Sequence, residues 1–201
     1  MFANSPIISF YDPLAELLGA GDGIFHYSFG DAVKLAGHAC PTVAGGFLLV
    51  LNAVQRLYTA DEIPQRGGLR ITINAAINQG TTGPLSQIIT LLTGAAADNG
   101  FHGLAGQYIR HGLLVFAPAA TSDPTHYSFE RIDNGQQLTL SYNPSAIAAD
   151  PKMGADMRQI LAGKADAATT RRFRAAWRER VERLLDDAGQ STIHEIQASH
   201  L

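Results

Sequence analysis

The sequence predicts an α+β fold in which a mostly antiparallel sheet packs against helices. The two-residue alternation that is typical of strands occurs near residue 71, and further strands are expected at residues 107–116, 126–132 and 137–142. The last two segments flank Asp133-Asn134-Gly135, so we expect them to form an antiparallel hairpin. The strands do not alternate strictly with helices, which favours an α+β arrangement over a parallel α/β one.

Length and composition predict one domain. A chain of 201 residues is long enough for one well-buried core and short for two. We expect a single domain over residues 1–201, with a core at about residues 20–145 and a helical extension at about residues 150–190. Only 16% of the residues are charged, which is consistent with further surface hidden in an oligomer, and we expect a homodimer.

Charge, hydropathy and cysteine content limit the classes of binding partner and the cellular compartment that we expect for this protein. The net charge of −3 gives no overall attraction to nucleic acid or to an anionic membrane. No segment reaches the ~18 to 20 apolar residues that a membrane helix needs. A single cysteine cannot form an internal disulfide, which suits a reducing compartment. The first residues lack the basic and apolar regions of a signal peptide, so we expect a cytoplasmic protein.

The first part of the chain contains weak helix signals. Residues 1–10 are interpreted as an irregular arm, and Asp12 is expected to cap a short helix at residues 13–18 that Gly19 ends. Residues 31–36 are expected to form a single helical turn that leads into the next loop.

Pro41 is expected to begin the main helix, because proline suits the first helical position and the apolar run of residues 43–57 follows it. Cys40 then occupies the N-cap, where free backbone N–H groups and the helix dipole favour a thiolate. Gly45 and Gly46 each cost about 1 kcal/mol relative to alanine in a helix. Such glycines indicate that another helix or a ligand approaches the backbone closely.

A second helix is expected to begin at Pro84 and to end at Gly94, with one apolar face. The segment that follows, residues 95–103, is small, glycine-containing and irregular. Loops of this kind often line pockets, so we expect residues 95–103 to do so.

The last quarter of the chain is expected to be helical, with its longest helix at about residues 167–188. An apolar stripe that includes Phe173, Trp177 and Leu184 lies on one face of this helix. Its arginines are interleaved with glutamates, which is typical of a solvated helix face and not of a nucleic-acid surface. The arginines crowd the helix start and oppose the dipole, so packing of the stripe must hold the helix.

His38 and Cys40 are the residues with the clearest chemical potential. They lie two residues apart in the loop before the main helix, so both can reach one cavity. A deprotonated sulfur beside an imidazole nitrogen is the start of a zinc-type metal site or of an activated nucleophile. A single cysteine is also often a small buried hydrophobic residue, and the spacing alone does not decide between these roles.

The sequence Gly37-His38-Ala39-Cys40-Pro41 resembles the signature of the FmdE family, which takes its name from a component of formylmethanofuran dehydrogenase. The specific match covers about 25 residues, and a looser one extends to about residue 117. The resemblance implies an α+β core, intertwined dimers in some members and a metal bound near His38 and Cys40. It implies no settled activity, and the C-terminal zinc finger that some members carry has no counterpart here.

The chain departs from the family pattern after Leu92-Thr93-Gly94, because Ala95 stands where the family usually has a cysteine. His102 lies seven residues beyond Ala95 and can supply a nitrogen ligand in place of the missing sulfur. The expected site is therefore His38, Cys40 and His102, holding zinc or another divalent transition metal.

Several functions are compatible with this site. The first is a metal-binding protein with a small-molecule pocket built on His38 and Cys40, with the open metal position serving an enzyme of unknown reaction. A non-catalytic sensor of a metal or small ligand is a second interpretation, and turnover would distinguish the two. A hydrolase with Cys40 as nucleophile and His38 as base is a third. A purely structural protein that acts through its dimer surface is a fourth.

Overall fold

The computed structural model of this chain describes residue 2 and residues 5–118 and 124–197. These residues form an α+β fold, as the sequence predicts. The elements follow one another as β1 (Ile8–Tyr11), α1 (Pro13–Leu17), β2 (Ile24–Tyr27), α2 (Phe29–Ala36), α3 (Pro41–Leu57), β3 (Leu69–Ile73), α4 (Thr82–Thr93), β4 (Leu114–Phe116), β5 (His126–Arg131), β6 (Gln137–Tyr142), α5 (Met153–Leu161), α6 (Ala167–Asp187) and β7 (Ile193–Glu195).

The main sheet has five strands in the described residues, in the order β4-β3-β5-β6-β7. Only the edge pair of β3 and β4 is parallel, and the other neighbours are antiparallel. The predicted hairpin is confirmed, because β5 pairs with β6 in the register that sets Phe129 opposite Leu138. Alternation buries Tyr127 and Phe129 on the core side. The mostly antiparallel sheet is therefore confirmed. Strands β1 and β2 form a separate two-stranded antiparallel sheet, with α1 in the connection between them.

Several strand predictions were wrong in extent. The strand predicted at residues 107–116 is reduced to β4, because Gly112 has a φ of +69° and interrupts the extended backbone. The irregular arm predicted at residues 1–10 is wrong for residues 8–10, which belong to β1, while residues 1, 3 and 4 lie outside the described part. Strand β7 was not predicted, because three residues give too short a pattern and its pairing partner, β6, is distant in sequence.

The helix predicted to start at Pro41 is the centre of the core. Residues 43–53 of α3 are all buried, so this helix has no solvent-facing side along those residues. The close approach predicted at the two glycines is confirmed. A Cβ at Gly45 would overlap the ring of Tyr142, and a Cβ at Gly46 would lie 2.8 Å from the Cβ of Ile88 on α4. The glycines therefore let one strand side chain and one helix pack directly on the α3 backbone.

Helix α6 packs its predicted apolar stripe against the same core, with Val181 and Leu184 fully buried. At its C-terminal end, the buried amide of Asn52 on α3 donates to the carbonyl of Ala188 at 3.0 Å. Helix α6 therefore shares one core with the rest of the described chain. Among the described helices, none is both long and apolar enough to cross a membrane.

Helix α2 is longer than the predicted single turn. It has eight residues and begins with a capping box, in which Asp31 accepts hydrogen bonds from the backbone and hydroxyl of Ser28. The predicted Asp12 cap of α1 is confirmed, and this buried carboxylate also binds Arg66 at 3.0 Å and Arg110 at 2.8 Å. These two ion pairs tie the first helix to the segments on either side of α4.

The close contacts of α3 predict that alanine substitution will destabilise the protein at Gly45 but not at Gly154 on α5. Gly45→Ala should lower the free energy of unfolding by about 1–3 kcal/mol, because its methyl group meets the Tyr142 ring in a packed core. Gly154→Ala on α5 is the matched control, since its Cβ would meet nothing closer than 3.8 Å. That change should stabilise the helix by up to about 1 kcal/mol. Urea unfolding measures both, and equal effects of the two substitutions would contradict the packing described.

Candidate functional site

The candidate site is the short loop between α2 and α3. Gly37 ends α2 with a φ of +75° and donates its N–H to the carbonyl of Val33, a left-handed cap that glycine adopts without strain. Pro41 then begins α3, and Cys40 is its N-cap residue, as the sequence predicts. The thiol of Cys40 makes no side-chain capping hydrogen bond and is half-buried.

His38 is exposed, and one hydrogen bond orients its ring. Its Nδ1 lies 3.0 Å from the carbonyl oxygen of Ala36. A carbonyl can only accept, so Nδ1 carries a proton, and in the neutral imidazole Nε2 keeps a lone pair for a ligand. The Cys40 thiol has no hydrogen bond to this imidazole in the described structure. Sequence proximity therefore brings the two side chains into one loop without joining them directly.

Two distant side chains hold the backbone on either side of Cys40. The indole N–H of Trp177, on α6, donates to the carbonyl of Ala39 at 2.8 Å. The hydroxyl of Tyr142, on β6, donates to the carbonyl of Pro41 at 2.8 Å. Burial raises the pKa of Tyr142, so its hydroxyl remains a donor at neutral pH. Sequence reasoning missed both contacts, because no local pattern indicates which strand or helix residue reaches a given carbonyl.

The same tyrosine indicates the electrostatic surroundings of Cys40. After burial, which is the largest effect, Arg180 lowers and Cys40 raises the pKa of Tyr142. Both groups therefore act on this phenol. One guanidinium nitrogen of Arg180 donates to the carbonyl of Pro144 at 3.3 Å, while its buried Nε has no hydrogen-bond partner in the described structure. The Arg180 guanidinium therefore acts on the tyrosine that holds the carbonyl of Pro41.

His102 has a different neighbour from the one the sequence predicts. Its exposed ring packs against His111, with the ring centroids 4.2 Å apart and an interplanar angle of 31°. Within residues 2, 5–118 and 124–197, no three His, Cys, Asp or Glu side chains are grouped so that they could hold a metal ion. The structure therefore does not gather His38, Cys40 and His102 in the described chain, and a role for His102 as third ligand stays a prediction. The strand predicted at residues 107–116 gave no indication that His111 would lie against His102.

Ala95, where the FmdE resemblance implies a cysteine, is fully buried and belongs to the core. Its N–H donates to the hydroxyl of Thr93 at 3.1 Å, which fixes the backbone as it leaves α4. The methyl group contributes packing and no ligand atom, so any metal site in this chain has to do without a donor here.

A cavity of about 500 Å³ lies beside α4 rather than on the candidate loop. Helix α4 and Leu35 of α2 line it together with Ala97, Asn99 and Phe116. The pocket-lining role predicted for residues 95–103 is thus confirmed for two of them. Neither His38 nor Cys40 lines this cavity. A pocket built on those two residues stays a prediction.

Comparison of the chain with family models, with curated proteins and with solved structures finds no match. The FmdE resemblance of Gly37-His38-Ala39-Cys40-Pro41 therefore stays a prediction, and so do the metal and the dimer that it implies.

The capping box before the loop predicts a specific acid sensitivity. The hydrogen bond from Lys34, followed by those from Ser28, lowers the pKa of Asp31 from 3.8 to about 2. A carboxylate whose pKa is lower in the folded state stabilises the fold above pH 3.8 and loses that contribution as the pH falls toward 2. We therefore expect Asp31→Asn to flatten the fall in stability over this range.

Lys34→Gln is the companion variant for that measurement. Removal of the strongest hydrogen bond to Asp31 should move the acid loss of stability toward higher pH while the carboxylate remains. Urea unfolding at a series of pH values measures both variants. An unchanged pH dependence in Asp31→Asn would show that this carboxylate does not contribute.

Proposed function

We propose that this protein binds a divalent transition-metal ion, zinc or a similar cation, through Nε2 of His38 and the sulfur of Cys40. The observation that carries the proposal is the hydrogen bond between Nδ1 of His38 and the carbonyl of Ala36. Such a bond fixes the tautomer in histidine ligands and leaves Nε2 as the donor atom. Imidazole nitrogen and thiolate sulfur are also the donors that zinc prefers. The resemblance of the loop to the FmdE signature supports the same assignment.

The anchoring of the loop favours binding. Trp177 and Tyr142 hold the carbonyls of Ala39 and Pro41, so the backbone on both sides of Cys40 is fixed before any ion arrives. Preorganised ligands lose less conformational entropy on binding. The start of α3 adds backbone N–H groups without intrahelical partners and a positive dipole end near the sulfur.

The donor set of one loop is incomplete for a closed zinc site. His38 and Cys40 are two ligands, whereas zinc sites in proteins use three or four. Water, a small molecule or His102 would have to fill the other positions, and His102 would first have to leave its contact with His111. A bound metal would supply Lewis acidity and an activated water. An open position of this kind suits an enzyme or a ligand sensor, which turnover of a small molecule would distinguish.

A cysteine hydrolase is the weaker alternative. The N-terminus of α3 offers backbone N–H groups for an oxyanion beside Cys40. A general base has to reach the nucleophile directly or through one water, and the described thiol has no hydrogen bond to His38. The Nδ1 contact of His38 and the resemblance of the loop to the FmdE signature both favour metal binding over this alternative.

The proposal includes a homodimer. The chain is low in charge, and several large apolar side chains are exposed in its described part, where a partner surface would cover them. Those outside the cavity beside α4 include Ile7, Leu17, Leu18, Ile63 and Leu161.

Metal titration tests the proposed ligands. Cys40→Ser and His38→Ala should each weaken zinc affinity by about tenfold or more, because each removes one of two donors. His194→Ala is the matched control, since it removes an exposed histidine of β7 that the proposal does not use. Calorimetric titration of protein without an affinity tag measures affinity and stoichiometry. Absence of zinc binding in the unchanged protein, or unchanged affinity in Cys40→Ser, would overturn the proposal.

His102→Ala decides the third ligand in the same titration. A smaller loss of affinity than in Cys40→Ser, with unchanged circular dichroism, is expected if His102 completes the site. Unchanged affinity and stoichiometry would remove His102 from the site. Alkylation of Cys40 gives a second readout, because bound zinc should slow the reaction of its thiolate.

The dimer is tested by mass in solution. Light scattering at micromolar concentration should give about twice the chain mass of 21.5 kDa. A stable dimer would bury more than ~1,200 Å² in total. A monomer mass at that concentration would contradict the homodimer and leave the metal proposal standing.

A further inference from the structure

An unusually long part of the chain carries no charge. Residues 71–97 form a run of 27 residues without Asp, Glu, Lys, Arg or His. Part of this run is buried in β3 and in the inner face of α4, where an absence of charge is expected. Other parts are exposed, including Ile77, Pro84 and Gln87. Charged residues are normally common at exposed positions, so an exposed uncharged surface calls for a functional explanation.

Helix α4 has two faces with different roles. Leu85, Ile88 and Leu92 are buried on the inner face, which packs on α3. Gln87, Thr90 and Leu91 line the cavity of about 500 Å³ on the other side. Core packing accounts for the first face only, and it does not require the second face to lack charge.

The cavity is concave and has walls from several elements. Leu35 of α2, Ile77, α4, the loop with Ala97 and the edge strand β4 surround it. None of the twelve residues that line it is charged. Its volume lies within the range of roughly 300–1,000 Å³ that is typical of small-molecule sites.

We propose that this cavity is a binding site for a neutral small molecule with an apolar body and a hydrogen-bonding group. Leu91, Leu114 and Phe116 offer apolar contact, while the side chains of Gln87 and Asn99 offer amide donors and acceptors. A charged ligand would lose hydration there and meet no opposite charge among the lining residues. None of the proposed metal ligands lines this cavity, so the test of the cavity does not depend on whether the protein binds a metal.

A matched pair of fluorescent probes tests the charge preference. Anilinonaphthalene is neutral and apolar with one N–H group, and its sulfonate derivative has the same body with a negative charge. The neutral probe should bind saturably at one molecule per chain, and the sulfonate about tenfold or more weaker. Equal affinities, or fluorescence that rises without saturation, would overturn the proposal.

Substitutions at Thr90, which lines the cavity and is half-buried, locate the binding. Thr90→Trp should fill the cavity and weaken the neutral probe about tenfold or more, whereas Thr170→Trp on α6, outside the cavity lining, should not. Thr90→Lys should reverse the preference toward the sulfonate, and a packing defect alone would not produce that reversal. It also serves as the second variant if Thr90→Trp does not fold.

The same samples distinguish a second copy of the chain as the occupant. Light scattering measures whether Thr90→Lys converts a dimer to a monomer. If it does, and the affinity of the neutral probe is unchanged, this face is an interface between two copies of the chain. That result would overturn the proposal. Unchanged probe affinities in both Thr90 variants would overturn it as well.

Discussion

Helix α3 is buried along residues 43–53, so each element around it has to fit against a helix with no solvent-facing side there. Two features of its sequence make this possible. Gly45 and Gly46 allow Tyr142 and α4 to pack on its backbone, and Asn52 satisfies its own polar group by bonding the carbonyls of Leu48 and Ala188. An unpaired buried amide would be costly, so both bonds are needed. The bond to Ala188 also holds the C-terminal end of α6 against α3.

The geometry of the candidate loop follows from that packing. The loop enters α3 at Pro41, and the residues that hold it, Tyr142 and Trp177, belong to elements that contact α3. Loops positioned by a rigid scaffold are the usual place for binding residues. The position of the large cavity follows from the same core, since α4 packs one face on α3 and leaves its other face to line the cavity.

An ion-pair cluster fixes the C-terminal end of α4. Arg66 donates to the carbonyls of Leu91 and Leu92 at the C-terminus of α4, where the helix dipole favours a cation, and it also binds Asp12. Arg110 shares that carboxylate and is only 7% exposed, and burial lowers the pKa of its guanidinium. Such a cluster contributes little net stability, but loss of one partner would leave a buried charge uncompensated.

The sequence by itself determined the elements whose signals are local. Proline and glycine placed the start of α3 and the end of α4, alternation identified β3, β5 and β6, and the position before Pro41 identified Cys40 as an N-cap. Only the tertiary structure decided which distant groups meet. The bonds from Tyr142 to Pro41 and from Trp177 to Ala39 span 101 and 138 residues. His102 lies against His111, and the pocket lies on α4, for the same reason: side-chain partners depend on how whole elements pack, and periodicity describes only one element at a time.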